Sequence, residues 1–328
     1  MPMHRRQFSL AALAACTSPW ALAQNDGLPA GPVKLLVPFA AGGIVDVMAR
    51  LVGERMAPLL KQSVFIENRP GATGALGVAA LKAAAPDGQT ILFGTSSIEL
   101  LNPYLFRKLP YEVSDLQRIS VIYDSSIALV VPKAANVRNL AEFVAHVKAK
   151  AKGAKHGLTY GSWGNGSSGH LFGGMLENAF GLKLDHVPYK GEMAALTDMA
   201  RGDLDMTWAS PNGARTFREQ GSSVVVAVTG SARSPALPDV PTFAEQGYDA
   251  FKLGLYGVAY APRGTPAPMV ERYQRAIREV VMRPDVKERF AQLGLLPVGN
   301  TPAEFGALFE RERAVWQKLI QASGVTLD

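Results

Sequence analysis

Cysteine is nearly absent from this 328-residue chain, and its one copy, Cys16, lies close to the N-terminus. The body therefore has no thiol for a disulfide, an iron–sulfur cluster or cysteine nucleophilic chemistry. The 5 histidines lack metal-type spacing, and no G-x-S-x-G nucleophile elbow occurs. Charged residues are few, at 19%, and form no block of one sign, which argues against a disordered segment or a nucleic-acid tail. Beyond the first residues no apolar run approaches the ~18–20 residues a spanning helix needs. No solenoid-type repeat is present. What remains is a well-filled globular chain, 48% apolar and long enough for two domains. Its formal charge of +6 suits an acidic ligand.

The first residues read as a targeting segment. Arg5-Arg6 precede the apolar run Phe8–Ala15, and Ala21-Leu22-Ala23 is a signal-peptidase-type site. A signal peptide over 1–23 with a mature start at Gln24 is expected. Arg5–Leu10 also resembles a twin-arginine signal. Leu13-Ala14-Ala15-Cys16 resembles a lipoprotein box, and the site downstream favours cleavage after Ala23 over a lipid anchor on Cys16.

The informative part of the body is a repeated local design. Val33–Phe39 reads as a buried strand, Ala40-Ala41-Gly42-Gly43 as a bare turn, and Asp46–Met56 as an amphipathic helix. Leu158–Tyr160 leads into Gly161–Gly169 (GSWGNGSSG), then His170 and a helical stretch. Helix-initial N–H groups have no partner within the helix and favour negative charge. Small residues let an anion approach them. Thr95-Ser96-Ser97, after the strand Thr90–Gly94, forms a third hydroxyl-rich edge. Such loops at strand carboxyl ends mark the ligand side of an α/β sheet.

Strands and helices alternate along the chain, predicting a mainly parallel α/β architecture. Ser120–Val131 reads as one long crossing strand. Leu204–Trp208 and Val224–Thr229 read as strands, and Met269–Met282, Pro284–Leu293 and Pro302–Ala322 as helices. One crossing and one return predict a discontinuous lobe, residues 24–128 plus 251–328, with a second lobe over 129–250.

Six segments carry a resemblance. They are Val37–Gly43 with Asp46 and Arg50; Glu67-Asn68-Arg69-Pro70-Gly71; Ala85-Pro86-Asp87-Gly88; Tyr160–Leu171; His186-Val187-Pro188-Tyr189-Lys190-Gly191; and Ser234–Thr242. In this order, over essentially the whole mature chain, they resemble the extracytoplasmic solute receptors of tripartite tricarboxylate transporters, the Bug-type receptors. The resemblance implies a two-lobed periplasmic binding protein of type II-like fold, closing on a small carboxylate. It implies no cofactor and no metal, a monomer, and transporter membrane subunits or a sensor protein as partners. It nominates Phe39, Ala40, Ala41, Gly42 and Gly43 in one lobe, and Ser162, Asn165, Gly166, Ser167, Ser168 and His170 in the other. Ser96, Ser97, Trp163, Tyr189 and Trp208 complete the expected site from the loop and aromatic readings. Asp46 matches the family's helix-initial aspartate and is expected to act as a helix-end charge.

The rival class is an enzyme. Gly164-Asn165-Gly166-Ser167-Ser168-Gly169 satisfies G-x-G-x-x-G, with Asp185 as the acid a nicotinamide site would need. A secreted hydrolase is the other option. On ligand type, relatives of this kind that take amino acids commonly carry an acid after the strand equivalent to Leu204–Trp208. Here Trp208-Ala209-Ser210-Pro211 stands instead, so a ligand ammonium lacks its counter-charge, with Glu99 the open question. The aromatic set Phe39, Trp163, Tyr189 and Trp208 suits a ring. The expected ligand is thus a carboxylate without an amino group, a cyclic acid ahead of a short aliphatic diacid.

Overall fold

The computed structural model describes residues 31–151 and 157–327, so the expectations for 1–23, Cys16 and Gln24 lie outside the described residues. The chain first builds β1 (Val33–Val37), α1 (Ile44–Leu60), β2 (Val64–Asn68), α2 (Ala75–Lys82) and β3 (Thr90–Thr95). Two short helices, α3 (Ser97–Leu100) and α4 (Asn102–Leu105), then lead to β4 (Leu116–Ser125). Next come β5 (Ala128–Pro132), α5 (Leu140–Ala151), β6 (Leu158–Ser162), α6 (Ser168–Phe180) and β7 (Leu184–Pro188). They are followed by α7 (Glu192–Arg201), β8 (Met206–Ala209), α8 (Pro211–Glu219) and β9 (Ser223–Val228). The chain returns through β10 (Leu255–Pro262), α9 (Ala267–Val281), α10 (Pro284–Gln292), β11 (Leu295–Pro297) and α11 (Pro302–Ser323).

Two sheets result, in the orders β11-β4-β10-β3-β1-β2 and β7-β6-β8-β5-β9. Helices flank both, giving the expected two-lobed α/β fold. Its parallel character belongs to the βαβ halves: β1 runs parallel to β2 and β3, and β6 to β7 and β8. Strands next to the lobe crossings are antiparallel, β10 to β3 and β4, and β5 to β8 and β9. Helical crossovers enforce parallel neighbours, whereas a chain that leaves one sheet and returns to it reverses direction. The sheets are therefore mixed.

The long strand expected over Ser120–Val131 is two strands, broken at Ser126-Ile127 where the chain passes between lobes. At the break the Ile127 N–H donates to Thr229 Oγ1 (3.0 Å) and the Thr229 N–H to the Ile127 carbonyl (2.9 Å), which ties the outgoing crossing to the end of β9. The return comes later, just before β10, where the Gly230 N–H donates to the Phe251 carbonyl (2.9 Å); these strand ends form the joint between the lobes.

Beside the joint, α11 packs on both lobes, and its Glu312 accepts from the Tyr256 hydroxyl. Phe305 meets Tyr260 of the first at 5.5 Å between centroids, and Trp316 stands edge-on to Phe172 of the second at 5.6 Å. Thr301 starts this helix with a capping box: its Oγ1 accepts from the Glu304 N–H (3.2 Å) and its own N–H donates to Glu304 (2.8 Å). Pro302 follows at the first turn and Gly324 ends the helix at φ 63°, both as sequence rules require.

Candidate functional site

A cavity of about 900 Å³ opens between the lobes. Four helices of eight or more residues begin at its wall. They are α1 after Gly43 from the first lobe, and α6 after Ser167, α7 after Gly191 and α8 after Ser210 from the second. All follow carboxyl ends of strands, where the sheet leaves backbone N–H groups facing outward. Only the loops after β1 and β6 were legible as such in sequence.

The loop after β1 is held open from behind. Asp46, buried at 2% exposure, accepts from the Gly42 N–H (2.9 Å), from Arg50 through both carboxylate oxygens (3.0 Å each) and from Asn68 Nδ2 (2.9 Å). Arg50, ahead of these other donors, lowers the Asp46 carboxyl to about 2 despite burial. Asn68 also donates to the Phe39 carbonyl (3.1 Å). Asp46 thus shapes the turn from outside the cavity wall. Gly42, at φ 82°, takes a conformation costly for a side chain, and the wall there is backbone.

The loop after β3 is fastened to the joint. Ser96 Oγ accepts from the Tyr256 N–H (3.1 Å), and the Ser96 N–H donates to the Tyr256 carbonyl (2.8 Å). Thr95 and Ser97 share a hydroxyl contact of 2.6 Å.

The serine-rich loop divides its labour. Ser167 caps α6, accepting from the His170 N–H (3.3 Å) and donating to the Gly164 carbonyl (2.7 Å). Ser162, fully buried beneath it, contacts His186 Nε2 at 2.7 Å and Ser167 Oγ at 3.2 Å. His186 stacks on His170 at 3.8 Å between centroids. Burial and the neighbouring ring hold His186 down to about 4, and burial also lowers His170, so both are neutral at pH 7. By contrast the side chains of Ser168 and Asn165 line the cavity with no hydrogen-bond partner among the described residues.

Phe39, Gly42, Gly43, Ser96, Ser97, Trp163, Asn165, Gly166, Ser167 and Ser168 all line the cavity. Six expected residues do not. Ala40 and Ala41 form the exposed outside of the first turn. Ser162 and His170 lie behind the second. Tyr189 turns away to donate to Asp198 (2.8 Å). Trp208 is fully buried between Phe172 (5.6 Å) and Phe243 (6.0 Å), because β8 is covered on both faces. The cavity's aromatic faces are instead Phe39, Trp163, Tyr123 and Tyr256.

Glu99 is also settled. It is buried and saturated, accepting from Arg118, from Arg313 (3.1 Å) and from Tyr260 (3.0 Å), away from the cavity wall. The acid that sequence reasoning missed is Glu192, on the wall at the start of α7. Its carboxylate accepts from the Ser210 N–H and hydroxyl, each at 2.7 Å. A carboxylate does therefore sit beside the end of β8, delivered from a neighbouring helix. Spacing along one strand cannot reveal such a residue. The joint residues Ser125, Ser126 and Leu255, and Arg289, Leu293 and Leu295 from the far edge of the first sheet, were missed for the same reason.

Residues 48–325 match the family described as Tripartite tricarboxylate transporter family receptor. The chain belongs to that family. A relative from Agrobacterium vitis, the UPF0065 protein in the TAR-I ttuE-ttuC' intergenic region, is 35% identical over 97% of this receptor and 92% of its own length. Among solved structures, R. palustris Rpa4515 with adipate matches at TM-score 0.78 and 29% identity, over 91% of the receptor and 99% of that chain. MatC from Rhodopseudomonas palustris with bound malate matches at 0.74 and 29%, over 89% and 100%.

Proposed function

We propose that this receptor binds a small carboxylate in the interlobe cavity, outside the cytoplasm, and presents it to transporter membrane subunits or a sensor protein. One observation carries the reading: helix N-termini from both lobes converge on one cavity, joined by the unpartnered side chains of Ser168 and Asn165 from the second. An anion there gains donors from each side only when the lobes approach. The adipate and malate carried by two structural neighbours support the same ligand chemistry. We assign the described residues up to the Ser126-Ile127 break and from β10 onward to one lobe, and β5 through Phe251 to the other, a shift of a few residues from the boundaries 128/129 and 250/251, with the receptor working as a monomer without cofactor.

The enzyme readings lose their supports. Asp185 pairs with Thr159 in register, at the start of β7 rather than its end, about 10 Å along the strand from the glycine loop. Ser162 and His186 are in contact, but Ser162 is fully buried and no carboxylate among the described residues bonds His186. Glu192 withdraws the argument against an amino group, so ligand class rests on the shape and charge of the cavity.

The test is calorimetry on purified protein with mono-, di- and tricarboxylates, alongside nicotinamide fluorescence. A carboxylate at a hundred times its Kd should add about 2.7 kcal/mol of apparent stability. Binding of nicotinamide cofactor with no response to any carboxylate would refute the proposal.

A further inference from the structure

The turn between β2 and α2 has an unusual backbone. Gly71, Ala72, Thr73 and Gly74 have φ of 136°, 47°, 50° and 89°, four positive values in succession. Glycine takes such angles freely, whereas a side chain crowds its own backbone there. A β-branched residue such as Thr73 is especially ill suited. Strain of this kind persists only where neighbours enforce it, and here they do. Asn102, fully buried at the start of α4, donates through Nδ2 to the Thr73 carbonyl (3.1 Å). The same NH2 group donates to the Tyr111 hydroxyl (3.2 Å), which is itself anchored on the Ile98 carbonyl (2.6 Å). Asn102 Oδ1 is left without a partner among the described residues, so the amide holds the turn at a cost to itself. The Gly74 N–H closes the turn on the Gly71 carbonyl (3.0 Å).

The residue so held stands on the cavity wall. Thr73 is exposed there, and its hydroxyl makes no hydrogen bond among the described residues. The first lobe's other aliphatic hydroxyls on the wall are engaged or covered. Thr95 is bonded to Ser97, Ser96 to Tyr256, and Ser125 to the Ser126 carbonyl (3.2 Å), while Ser126 Oγ is shut off from solvent. Helix α4 also touches the opposite loop, because Leu105 Cδ1 lies 3.4 Å from where a Gly166 side chain would begin. Asn102 and Leu105 are three residues apart, about 4.5 Å along the helix axis. One short helix thus fixes Thr73 from the first lobe and meets the loop that carries Asn165 and Ser168 from the second.

We infer that Thr73 is a first-lobe hydroxyl contact to the ligand, complementing Ser168 of the second lobe, and that Asn102 is the positioning residue that holds it in reach. The inference rests on the carboxylate reading of the cavity. Because the strain is already borne before ligand arrives, the hydroxyl needs no ordering on binding.

Calorimetry with malate, adipate and citrate tests it on wild type, Thr73→Ser, Thr73→Ala, Thr73→Gly, Asn102→Ala and the double variant Thr73→Ala/Asn102→Ala. For the acid that wild type binds tightest, Thr73→Ala should weaken binding about ten- to hundredfold, and Thr73→Ser should stay close to wild type. Thr73→Gly should raise the thermal midpoint by relieving the strain, yet bind no more tightly than Thr73→Ala. Asn102→Ala should weaken binding in the wild-type background and add nothing to Thr73→Ala, although it lowers stability in both. A merely structural asparagine would weaken binding equally in both backgrounds. Thermal unfolding reports the folding of each variant, and the Thr73 series decides the contact if Asn102→Ala does not fold. Wild-type affinity in Thr73→Ala, or equal loss from Asn102→Ala in both backgrounds, overturns the inference and leaves the receptor reading standing. Failure of all three acids to bind wild type overturns both.

Discussion

Ser167 and Ser168 are adjacent and chemically identical, yet they do different work. Ser167 has spent its hydroxyl on the α6 cap, whereas Ser168 presents an unpartnered one to the cavity. Ser168→Ala should weaken ligand binding about ten- to hundredfold, the worth of a hydrogen bond to a charged group, with little change in stability. Ser167→Ala should lower stability by about 1 kcal/mol, as loss of a cap does. Calorimetry and urea unfolding separate the two. The His170–His186 stack gives a pH dependence of fixed sign. Both pKa values lie below the unfolded value of 6.5, so the unfolded chain binds protons first. The stability this neutral pair contributes is complete above pH 6.5 and lost as pH falls through the window down to about 4. Urea midpoints at pH 7 and pH 5 should differ more in wild type than in His186→Asn.

At the scale of elements, legibility followed how local the determining physics is. The capping box at Thr301–Glu304, with Pro302 inside and Gly324 beyond, marks α11 within a residue or so at each end, because all its signals are neighbours in sequence. Thr301→Ala should cost about 1 kcal/mol in urea unfolding, and an unchanged midpoint would show that packing alone holds the helix start. The loops after β1 and β6 were readable for the same reason, since small residues at a strand end speak for themselves. Trp208 and Tyr189 were misplaced because strand alternation says nothing of what covers each face. Helix α8 was missed because its start, Ser210-Pro211, reads equally as a turn. Glu192 and Arg289 reach the cavity only through the arrangement of α7 and α10 around it, which no window of sequence contains.

At the scale of the molecule, the joint between lobes contains an acid under strain of burial. Asp124, at the end of β4, borders a small pocket lined by Ser126, Gly230, Ser234 and Gly294. Burial first, then the charge of Glu312, pushes its carboxyl up to about 7. Here the sign is opposite to that of the histidines. A raised carboxyl costs nothing below the unfolded value of 3.8 and destabilises progressively as pH rises through about 7. Asp124→Asn should therefore raise the urea midpoint at pH 8 and leave it unchanged at pH 4. Equal effects at both pH values would assign the change to packing instead of charge.

The interleaving of the first sheet also bears on how the chain acquires its shape in time. Strand β10 fits between β3 and β4, and Tyr256 bonds Ser96 across a separation of 160 residues. Closing so large a loop costs entropy before any contact rewards it. The second sheet, by contrast, is made from one uninterrupted stretch, β5 to β9. A ribosome delivering this chain from its N-terminus completes the second lobe while the first still lacks its middle strand, so β3 and β4 wait with bare edges. Those edges are exposed to mispairing for as long as synthesis of β5 to β10 takes. Refolding should accordingly show two phases, with the far-ultraviolet signal of the second lobe ahead of any recovery of ligand binding.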